Sequence, residues 1–454
     1  MGIEIIPIGG YNKVEGNSTA IKVDDEVLIL DMGLTMDNFV NYQNTRDSTQ
    51  EESQSRLNYG ELLRVDAVPD FYQIKDLHKN VKAIIPSHAH LDHVGAVPFG
   101  MKFFKKVPVI GTPYTMEFLK RDLLDKKYSK TFEKNDNHLI TVNLNNTFEI
   151  SNKLTIELIN VTHSIPDSAI ITIHTPYGSI MYAVDYKFDE HPQIGDPPNY
   201  KRLEEIGNNG VKCLILESLY ADYDIETPSE EDVKEDLHKT LSKIDTDSKT
   251  IFLSTFSSHI ARIKTLIETG LAMNREVYLV GRSLSTYTSV ASKLNLMKFK
   301  NCKIIHRANE INDLLEEAST KRGNYFIICT GHQGEPHSVL SRIADNKFSK
   351  SFLPEDVMIF SSSVIPTEQN QKSFDELEQK LKNYSLNIIK DIHASGHAGL
   401  KDHERMLRMI NPEFLIPAHA GLEKTQHVKL LSEQLGIGKA ILVSNGDRIN
   451  LADE

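Results

Sequence analysis

Short apolar runs separated by turn residues dominate the first part of the chain. The segments "IEIIPIGG", "TAIKVDDEVLILDMG", "VKAIIPSHAH", "LTIELINVTHS" and "AIITIHTPYGSIMYAVDY" have the period and composition of β-strands. In the last of them, "TPYGS" separates two such runs and predicts a hairpin. The stretch "TMEFLKRDLLDKKYSK" has a helical pattern instead. We therefore expect a β-rich layered domain, covered by helices, over residues 1–210.

The pattern changes from about residue 211. In "VKCLILESLY", "TIFLSTFSSH", "EVYLVGRSLS" and "YFIICTGHQGEPHS", a β-branched run ends in a Ser-, Gly- or His-containing loop and a helical pattern follows; "DVMIFSSSV" is a fifth strand. Strands that alternate with helices indicate a parallel sheet with ligands at its carboxyl ends. We predict a second domain over 211–370, inserted into the first, which resumes over 371–454. The polar stretch 36–60 is predicted to be a long exposed loop.

Composition and net charge argue against some classes of function. The chain has 454 residues and a formal net charge of −12, which argues against coating nucleic acid or anionic membrane by bulk electrostatics. A nucleic-acid enzyme with a local positive channel or bound cations stays open. The cysteines, Cys213, Cys302 and Cys329, lack any CxxC spacing and are expected to be reduced and structural. With no signal peptide pattern and no apolar run of membrane-spanning length, we expect a cytoplasmic protein without membrane contact.

The loop "SHAHLDH" concentrates ligand-type side chains directly after an apolar run. His88, His90, Asp92 and His93 occupy four of six positions, and burying them unpaired would be costly. Neutral imidazole and carboxylate together suit Zn²⁺, with Mn²⁺ as the harder alternative. The loop therefore predicts a metal site.

Three further residues at strand ends fit the same role: His163, Asp185 and His419. A lone histidine at a strand end is usually structural, so these residues are candidate ligands only because the loop already predicts a metal site. A carboxylate that arrives from a separate strand is suited to bridge two metals, which we expect of Asp185.

These motifs together resemble a known family. The loop, with "LILDMG", "VTHSIPDSA" and "AVDY", is similar to the metallo-β-lactamase fold in its phosphodiesterase form. "LILESLY", "HASGHAG" and "IPAHAG" resemble the three further motifs of the β-CASP nucleic-acid nucleases. Within these, "TFSSH", "TGHQGEP", "IFSSSVIP" and "HASGHA" resemble the ribonuclease J family in its short archaeal form. The resemblance implies an α/β fold: a four-layer αββα metallo-β-lactamase sandwich with an inserted parallel-sheet β-CASP domain.

The resemblance also implies two divalent cations per chain, with zinc expected and manganese as the alternative. The implied ligands form two sets that share Asp185 as a bridge: His88, His90 and His163 in one, and Asp92, His93 and His419 in the other. Asp31 is implied as a structural support of the metal loop. Such cations lower the pKa of a water and stabilise an in-line displacement at phosphorus, and Asp92 is also a candidate for orienting the nucleophile.

Departure of a ribose 3′ oxygen benefits from a proton and a nearby positive group. His397 fits both needs, and Glu217, at the end of an apolar strand, is a candidate for orienting its ring. The alternative reading of Glu217 is a helix-start carboxylate.

A phosphate pocket is the last expectation. The Ser- and Gly-rich loops at strand ends are suited to present N–H and hydroxyl groups to an anion, and the resemblance implies a monophosphorylated 5′ RNA end as that anion. The candidates are Ser257, Ser258, Ser361, Ser362, Ser363, His393, Ala394, Ser395, Gly396 and His397. Phe256 is a candidate for base stacking, and His332 and Glu335 are candidate polar cleft residues.

Four functions stay open from the sequence. The leading one is a ribonuclease that acts on single-stranded RNA, mainly from the 5′ end and with some internal cutting. The others are a hydrolase of small thioesters or lactones, a DNA-directed nuclease, and a non-catalytic scaffold of an RNA-processing complex. Filled ligand positions argue against the scaffold. A homodimer is implied by resemblance alone.

Overall fold

The computed structural model describes residues 2–49, 57–123, 139–365 and 367–451. The strands within these ranges are β1 Ile3–Gly9, β2 Ser18–Val23, β3 Glu26–Leu30, β4 Val81–Ile85, β5 Val109–Gly111, β6 Leu139–Thr141, β7 Asn146–Glu149, β8 Thr155–Asn160, β9 Ala169–Thr175, β10 Gly178–Ala183, β11 Val211–Glu217, β12 Ile251–Ser254, β13 Glu276–Val280, β14 Cys302–Ile305, β15 Tyr325–Cys329, β16 Val357–Phe360, β17 Asn387–Ile389, β18 Phe414–Ala418, β19 Lys439–Ala440 and β20 Ile449–Asn450.

The α-helices within the same ranges are α1 Met36–Thr49, α2 Tyr59–Arg64, α3 Leu91–Val94, α4 Val97–Gly100, α5 Pro113–Phe118, α6 Tyr200–Asn208, α7 Glu230–Leu241, α8 Ile260–Ala272, α9 Arg282–Lys293, α10 Ala308–Thr320, α11 Val339–Ala344, α12 Glu368–Lys382, α13 Leu400–Ile410 and α14 Leu422–Leu435. In that part of the chain, no helix is both long and apolar enough to cross a membrane.

The strands form three sheets. The first has the order β20-β1-β2-β3-β4-β5-β6 and the second β19-β18-β11-β10-β9-β8-β7. The third, β14-β13-β15-β12-β16-β17, is parallel throughout. Strands β9 and β10 form the predicted hairpin, in which Thr175 pairs with Gly178 around a two-residue turn. The hairpin at "TPYGS" is thus confirmed.

The first two sheets stack face to face, because their central strands are apolar on both faces. In β11, Cys213 and Ile215 lie in the core between the sheets, while Leu214 and Leu216 pack on the opposite side in a core shared with α6, α13 and α14. The first sheet likewise packs its outer face against helices. Burial of each such side chain stabilises the fold by about 1.5–3 kcal/mol. The result is the predicted four-layer αββα sandwich with an inserted parallel sheet.

Two strands lie in other sheets than predicted. The strand of "VKCLILESLY", β11, was expected to begin the inserted sheet, but it pairs with β10 and β18 in the second sheet. Strand β17, expected in the resumed first domain, pairs with β16 in the third sheet. β11 is buried on both faces, so its apolar pattern would be the same in either sheet. β17 is a three-residue edge strand whose pattern does not distinguish the sheets, and pairing decides in both cases. We therefore propose that the insertion runs between the ends of β11 and β17 and not over 211–370.

The loop predicted over 36–60 was also wrong in part, since α1 and α2 occupy most of it. Tertiary contacts hold α1: the Glu15 carboxylate accepts a hydrogen bond of 2.7 Å from the backbone N–H of Met36, and Phe39 is buried. Residues 50–56 and 124–138 lie outside the described residues, and the second range includes the last part, 124–130, of the helix predicted around "TMEFLKRDLLDKKYSK".

Candidate metal centre and catalytic dyad

Parallel strand ends bring the candidate residues together. In the second sheet β8, β10, β11 and β18 run in one direction, so the residues that follow them emerge at one edge. In the first sheet β3 and β4 are parallel and end in Asp31 and the His88 loop. Asp31, Asp185 and His419 have positive φ angles of 58°, 55° and 57°. Such backbone is costly away from glycine and clusters at functional sites.

One group of four ligand atoms meets at this edge, supplied by His88, His90, His163 and Asp185. The Asp185 Oδ2 lies 3.3 Å from the Nε2 atoms of His88 and His163, and the His90 Nδ1 lies 3.0 and 3.1 Å from the same two nitrogens. Ligand atoms around a tetrahedral zinc lie about 3.3 Å apart. The spacing is that of a metal cage.

A second group shares the same carboxylate and comprises Asp92, His93, Asp185 and His419. The other oxygen of Asp185, Oδ1, lies 3.0 Å from the Nε2 of His419, and the His93 Nε2 lies 3.3 Å from Oδ2. Asp92 closes the group, 3.4 Å from the His93 Nε2. Asp185 therefore faces both groups, as predicted for a bridging ligand.

The hydrogen bond on the far side of each ring determines whether the nitrogen that faces the cluster carries a proton or presents a lone pair. The His163 Nδ1 donates to the Gly396 carbonyl at 2.6 Å, and the His93 Nδ1 donates to the Asp31 carboxylate at 2.7 Å. The Asn17 Oδ1 accepts from the His419 Nδ1 at 2.9 Å. In the neutral ring each Nε2 is then unprotonated, the form in which imidazole binds metals.

The Asp185 Oδ1 consequently has no hydrogen-bond donor, although it is buried and lies beside His419. Two lone pairs that face each other at 3.0 Å repel, and a cation between them removes the cost. Burial lowers the pKa values of His88, His90 and His163 and keeps them neutral. Burial would raise the pKa of Asp185, but the surrounding histidines hold it well below its usual range. The cluster indicates a divalent-metal site.

Asp31 lies behind the cluster, where a supporting residue is expected. Its carboxylate accepts hydrogen bonds from the Ser87 N–H at 2.7 Å, the Tyr182 hydroxyl at 3.0 Å and His93. The Ser87 hydroxyl also donates to Asp31 and so accepts from the His88 Nδ1 at 2.9 Å. Burial acts to lower the pKa of His93, but the carboxylates of Asp185, Asp92 and Asp31 raise it well above its usual value. The region attracts positive charge.

Glu217 and His397 form a dyad at the edge of the cluster. The His397 Nδ1 donates to the Glu217 carboxylate at 2.8 Å, and the backbone N–H groups of Tyr186 and Ala398 also donate to it, at 3.0 and 3.3 Å. Burial acts to lower the pKa of His397, but the nearby carboxylates, Glu217 foremost, raise it to about 9. Glu217 is thus held as an orienting carboxylate, and the ring of His397 lies 4.9 Å from that of His163.

The predicted phosphate-pocket loops follow three neighbouring strands of the third sheet, β12, β16 and β17. Within them, the Ser363 Oγ lies 3.2 Å from the His393 Nε2, beside the ring of Phe256. Ser257 is half-buried, and the rings of Phe256 and His332 are 4.0 Å apart. Phe256, His332, Ser363 and His393 therefore lie together at the carboxyl ends of the third sheet, and we refer to this region as the cleft.

Other residues of the predicted phosphate pocket have different contacts. The Ser258 hydroxyl lies 3.0 Å from the His90 Nε2 and so holds a metal-ligand candidate. The buried Ser361 hydroxyl and the Ala394 carbonyl point into the protein, toward Arg262. The Ser395 hydroxyl accepts from the His397 N–H. Fewer hydrogen-bond donors of the predicted phosphate pocket are therefore available to an anion than the sequence predicted.

Gly396 lies where only glycine fits. A Cβ at this position would lie 2.0 Å from the Ser164 hydroxyl and 2.8 Å from the His163 ring. The absence of a side chain lets the Gly396 carbonyl reach His163.

The sequence analysis missed Asn17, Ser87 and Tyr182. Asn17 accepts from His419 and directs its amide nitrogen at the Asp92 carbonyl, 3.3 Å away, and at the His93 Nε2, also 3.3 Å away. It precedes β2 without any motif of its own, so no local signal marks it. Only the proximity of segments distant in sequence reveals its role.

Comparisons with known proteins agree with this geometry. A model of the ribonuclease J β-CASP domain matches residues 248–377, and a model of the β-lactamase superfamily domain matches residues 63–220. The ribonuclease J of Pyrococcus abyssi is 38% identical over 98% of this chain and 96% of its own. That of Methanocaldococcus jannaschii is 39% identical over 98% of both, and that of Thermus thermophilus 30% over 100% of this chain and 74% of its own.

A crystal structure of an Enterococcus faecalis protein of unknown function matches 99% of this chain and 100% of its own with a TM-score of 0.65 at 16% identity, which concerns the fold alone. Identity of this extent with proteins of one name, together with both domain models, means that the chain belongs to the ribonuclease J family, in the β-CASP branch of the metallo-β-lactamase superfamily.

Proposed function

We propose that this protein is a metal-dependent ribonuclease that hydrolyses single-stranded RNA, mainly from the 5′ end and with preference for a 5′ monophosphate. The observation that carries the proposal is the adjacency of three parts: a His/Asp cage with an unsatisfied bridging carboxylate, a His–Glu dyad beside it, and a cleft of Ser and His side chains beyond. The relatives named ribonuclease J support RNA as the substrate.

We assign the cage to two cations, zinc in the first instance because most of the donors are imidazole nitrogens, with manganese as the alternative. His88, His90 and His163 would hold one, and Asp92, His93 and His419 the other, with Asp185 shared. When bound, such cations supply Lewis acidity toward the phosphate and lower the pKa of a water. We assign the orientation of the attacking water to Asp92, which like His90 is half-buried.

His397 supplies the proton. Its Nδ1 is committed to Glu217, so its Nε2 carries the transferable proton in the protonated ring. Water attacks phosphorus, the bond from phosphorus to the 3′ oxygen breaks, and His397 protonates that oxygen. The shortened RNA keeps the phosphate at its new 5′ end, so each cut regenerates the preferred terminus.

This role of His397 has a direct test. His397→Gln is expected to lower kcat on ordinary RNA by about 10²–10⁴-fold. Replacement of the scissile 3′ oxygen by sulfur should restore much of the rate, because a thiolate leaves without protonation. Equal losses on both substrates would contradict the assignment, and His427→Gln, a change on α14 outside the cluster, is the control.

The function itself is tested with one internally labelled single-stranded RNA that carries a 5′ monophosphate, triphosphate or hydroxyl, incubated with the wild-type protein or His88→Ala. Mononucleotides released fastest from the monophosphate, and absent with the variant, support the proposal. Internal fragments that are independent of the 5′ group would support an endonuclease instead. No cleavage of RNA with Zn²⁺ or Mn²⁺ would refute the nuclease.

A further inference from the structure

Arg262 is the bulkiest of the fully buried side chains in the described ranges and lies in the first turn of α8. Glu230 binds it in a fork, with Nε to Oε2 at 2.7 Å and Nη2 to Oε1 at 2.8 Å. A buried guanidinium needs such a partner, and bidentate pairing is its strongest form. The ion pair alone would satisfy the charge.

The fork uses two of the five N–H donors of the guanidinium, and the partners of the others show which segments it joins. Nη1 donates to the carbonyl and the hydroxyl of Ser361, both at 3.0 Å, and more distantly to the Ile392 carbonyl at 3.4 Å. The Ser361 hydroxyl donates in turn to the Ile392 carbonyl at 2.9 Å. Arg262 thus joins the segments that follow β16 and β17, and these two segments line the cleft.

The Arg262 Nη1 also determines the tautomer of His393. Nη1 lies 3.4 Å from the His393 Nδ1, and arginine can only donate, so Nδ1 accepts and Nε2 carries the proton. Nε2 then donates to the Ser363 hydroxyl, 3.2 Å away. The donor direction runs from Arg262 through His393 to Ser363, whose hydroxyl also hydrogen-bonds to Tyr220.

We propose, on the basis of the function proposed above, that Arg262 is the positioning residue for selection of the RNA 5′ phosphate. It holds His393 in the tautomer with the proton on Nε2 and fixes the spacing of the two segments that face the phosphate. It touches no RNA itself.

The test is Arg262→Lys, which keeps a positive charge beside Glu230 but cannot reach both segments and His393 together. The measurement is kcat/KM on RNA with a 5′ monophosphate divided by kcat/KM on the same RNA with a 5′ hydroxyl. We expect this ratio to fall by about tenfold or more, in line with the loss of other outer-shell supports, while cleavage of the hydroxyl RNA changes little. An unchanged ratio, or equal losses on both RNAs, would overturn the inference.

Arg275→Lys is the matched control. Arg275 is also buried in the inserted domain and donates to three backbone carbonyls, those of Lys249, Tyr325 and Thr246, outside the cleft segments. A purely structural role would make both variants behave alike, so the ratio for Arg275→Lys should stay at the wild-type value.

Two further variants sharpen the result. If Arg262 acts through His393, then Arg262→Lys added to His393→Ala should lower the ratio no further, and full additivity would count against the inference. Should Arg262→Lys fail to fold, Ser361→Ala removes one link to the segments and should shift the ratio in the same direction; no shift would overturn the inference. A wild-type ratio of one would refute the proposed preference for a 5′ monophosphate, whereas a high wild-type ratio retained by Arg262→Lys refutes only the role of Arg262.

Discussion

The metal cluster and the network around Arg262 are both buried, polar and built from distant segments, but their polar groups are satisfied in opposite ways. In the cluster, unprotonated ring nitrogens face the carboxylate of Asp185, and its Oδ1 lacks a donor. In the network, both oxygens of Glu230 accept from Arg262, whose remaining nitrogens donate to backbone and side chains. The first arrangement is incomplete without a cation, and the second is complete by itself. Buried polar groups that lack a hydrogen-bond partner therefore mark the metal site. Buried polar groups that are all paired mark the structure that supports the cleft.

The largest effect is expected at Asp185. Asp185→Asn removes the carboxylate shared by both ligand groups, so bound metal should fall and activity should drop by about 10³-fold or more. Metal analysis and RNA cleavage measure this. A chelator should lower the melting temperature of the wild type more than that of the variant, because only the wild type loses a bound ligand.

Asp375→Asn, a change on α12 outside the cluster, is the control. Full metal content and activity in Asp185→Asn would contradict the assignment of a bridging ligand.

Glu230→Gln is expected to act in the opposite way. Arg262 would stay buried without its carboxylate, while Lys187 would keep Asp189, and breaking a buried pair costs about 3–5 kcal/mol in the free energy of unfolding. Metal bound per folded chain should not change. Urea unfolding and metal analysis check both statements.

Glu231→Gln, at the next position, removes a carboxylate that pairs with Lys234 on the surface and should have little effect. Loss of bound metal in Glu230→Gln without loss of stability would contradict the distinction between the metal cluster and the Arg262 network.

Asn17→Ala tests the outer support of the cluster. The variant leaves the Nδ1 of His419 without its hydrogen-bond partner, and loss of such a partner weakens metal affinity by about 10–100-fold. Competition with a chelating dye measures the affinity. Asn38→Ala, which removes an amide bound to the Asp66 carbonyl, is the control. Unchanged affinity in Asn17→Ala would mean that the His419 ring is held by its packing alone.

The smallest effect concerns pH. Burial lowers the pKa of His403 to about 4, with Glu217 opposing and His397 adding to the shift, and its Nδ1 lies 2.9 Å from the Tyr186 hydroxyl. The unfolded chain binds a proton below about 6.5 and the folded chain only near 4, so stability falls as the pH drops between these values. The loss at pH 5 should be about 2 kcal/mol.

His403→Gln should remove that part of the pH dependence, measured by urea unfolding at pH 7 and pH 5 with a chelator present. The exposed His337→Gln should leave it intact. Equal pH dependence in both variants would exclude His403 as the cause.

The sequence alone determined the parts of this protein that depend on local chemistry. The crowding of His88, His90, Asp92 and His93 indicated a metal site because such groups cannot be buried unpaired, and the strand-end positions of His163 and Asp185 extended it. The four-layer sandwich and the parallel insertion followed from alternation and from resemblance. A homodimer, a cytoplasmic location and the identity of the metal stay predictions.

Only the tertiary structure decided the rest. The membership of β11 in its sheet depends on pairing with β18, far away in the chain, because both faces of this buried strand are apolar in any sheet. The short edge strand β17 is placed only by its pairing with β16. Asn17 and Arg262 have no motif that would mark them, and the motif that contains Ser258 predicted a phosphate contact and not its contact with His90. These contacts span 402, 131 and 168 residues of sequence, respectively. Local sequence fixes which side chains can bind a metal or a phosphate, whereas hydrogen bonds between distant segments decide which ring nitrogen faces the cleft.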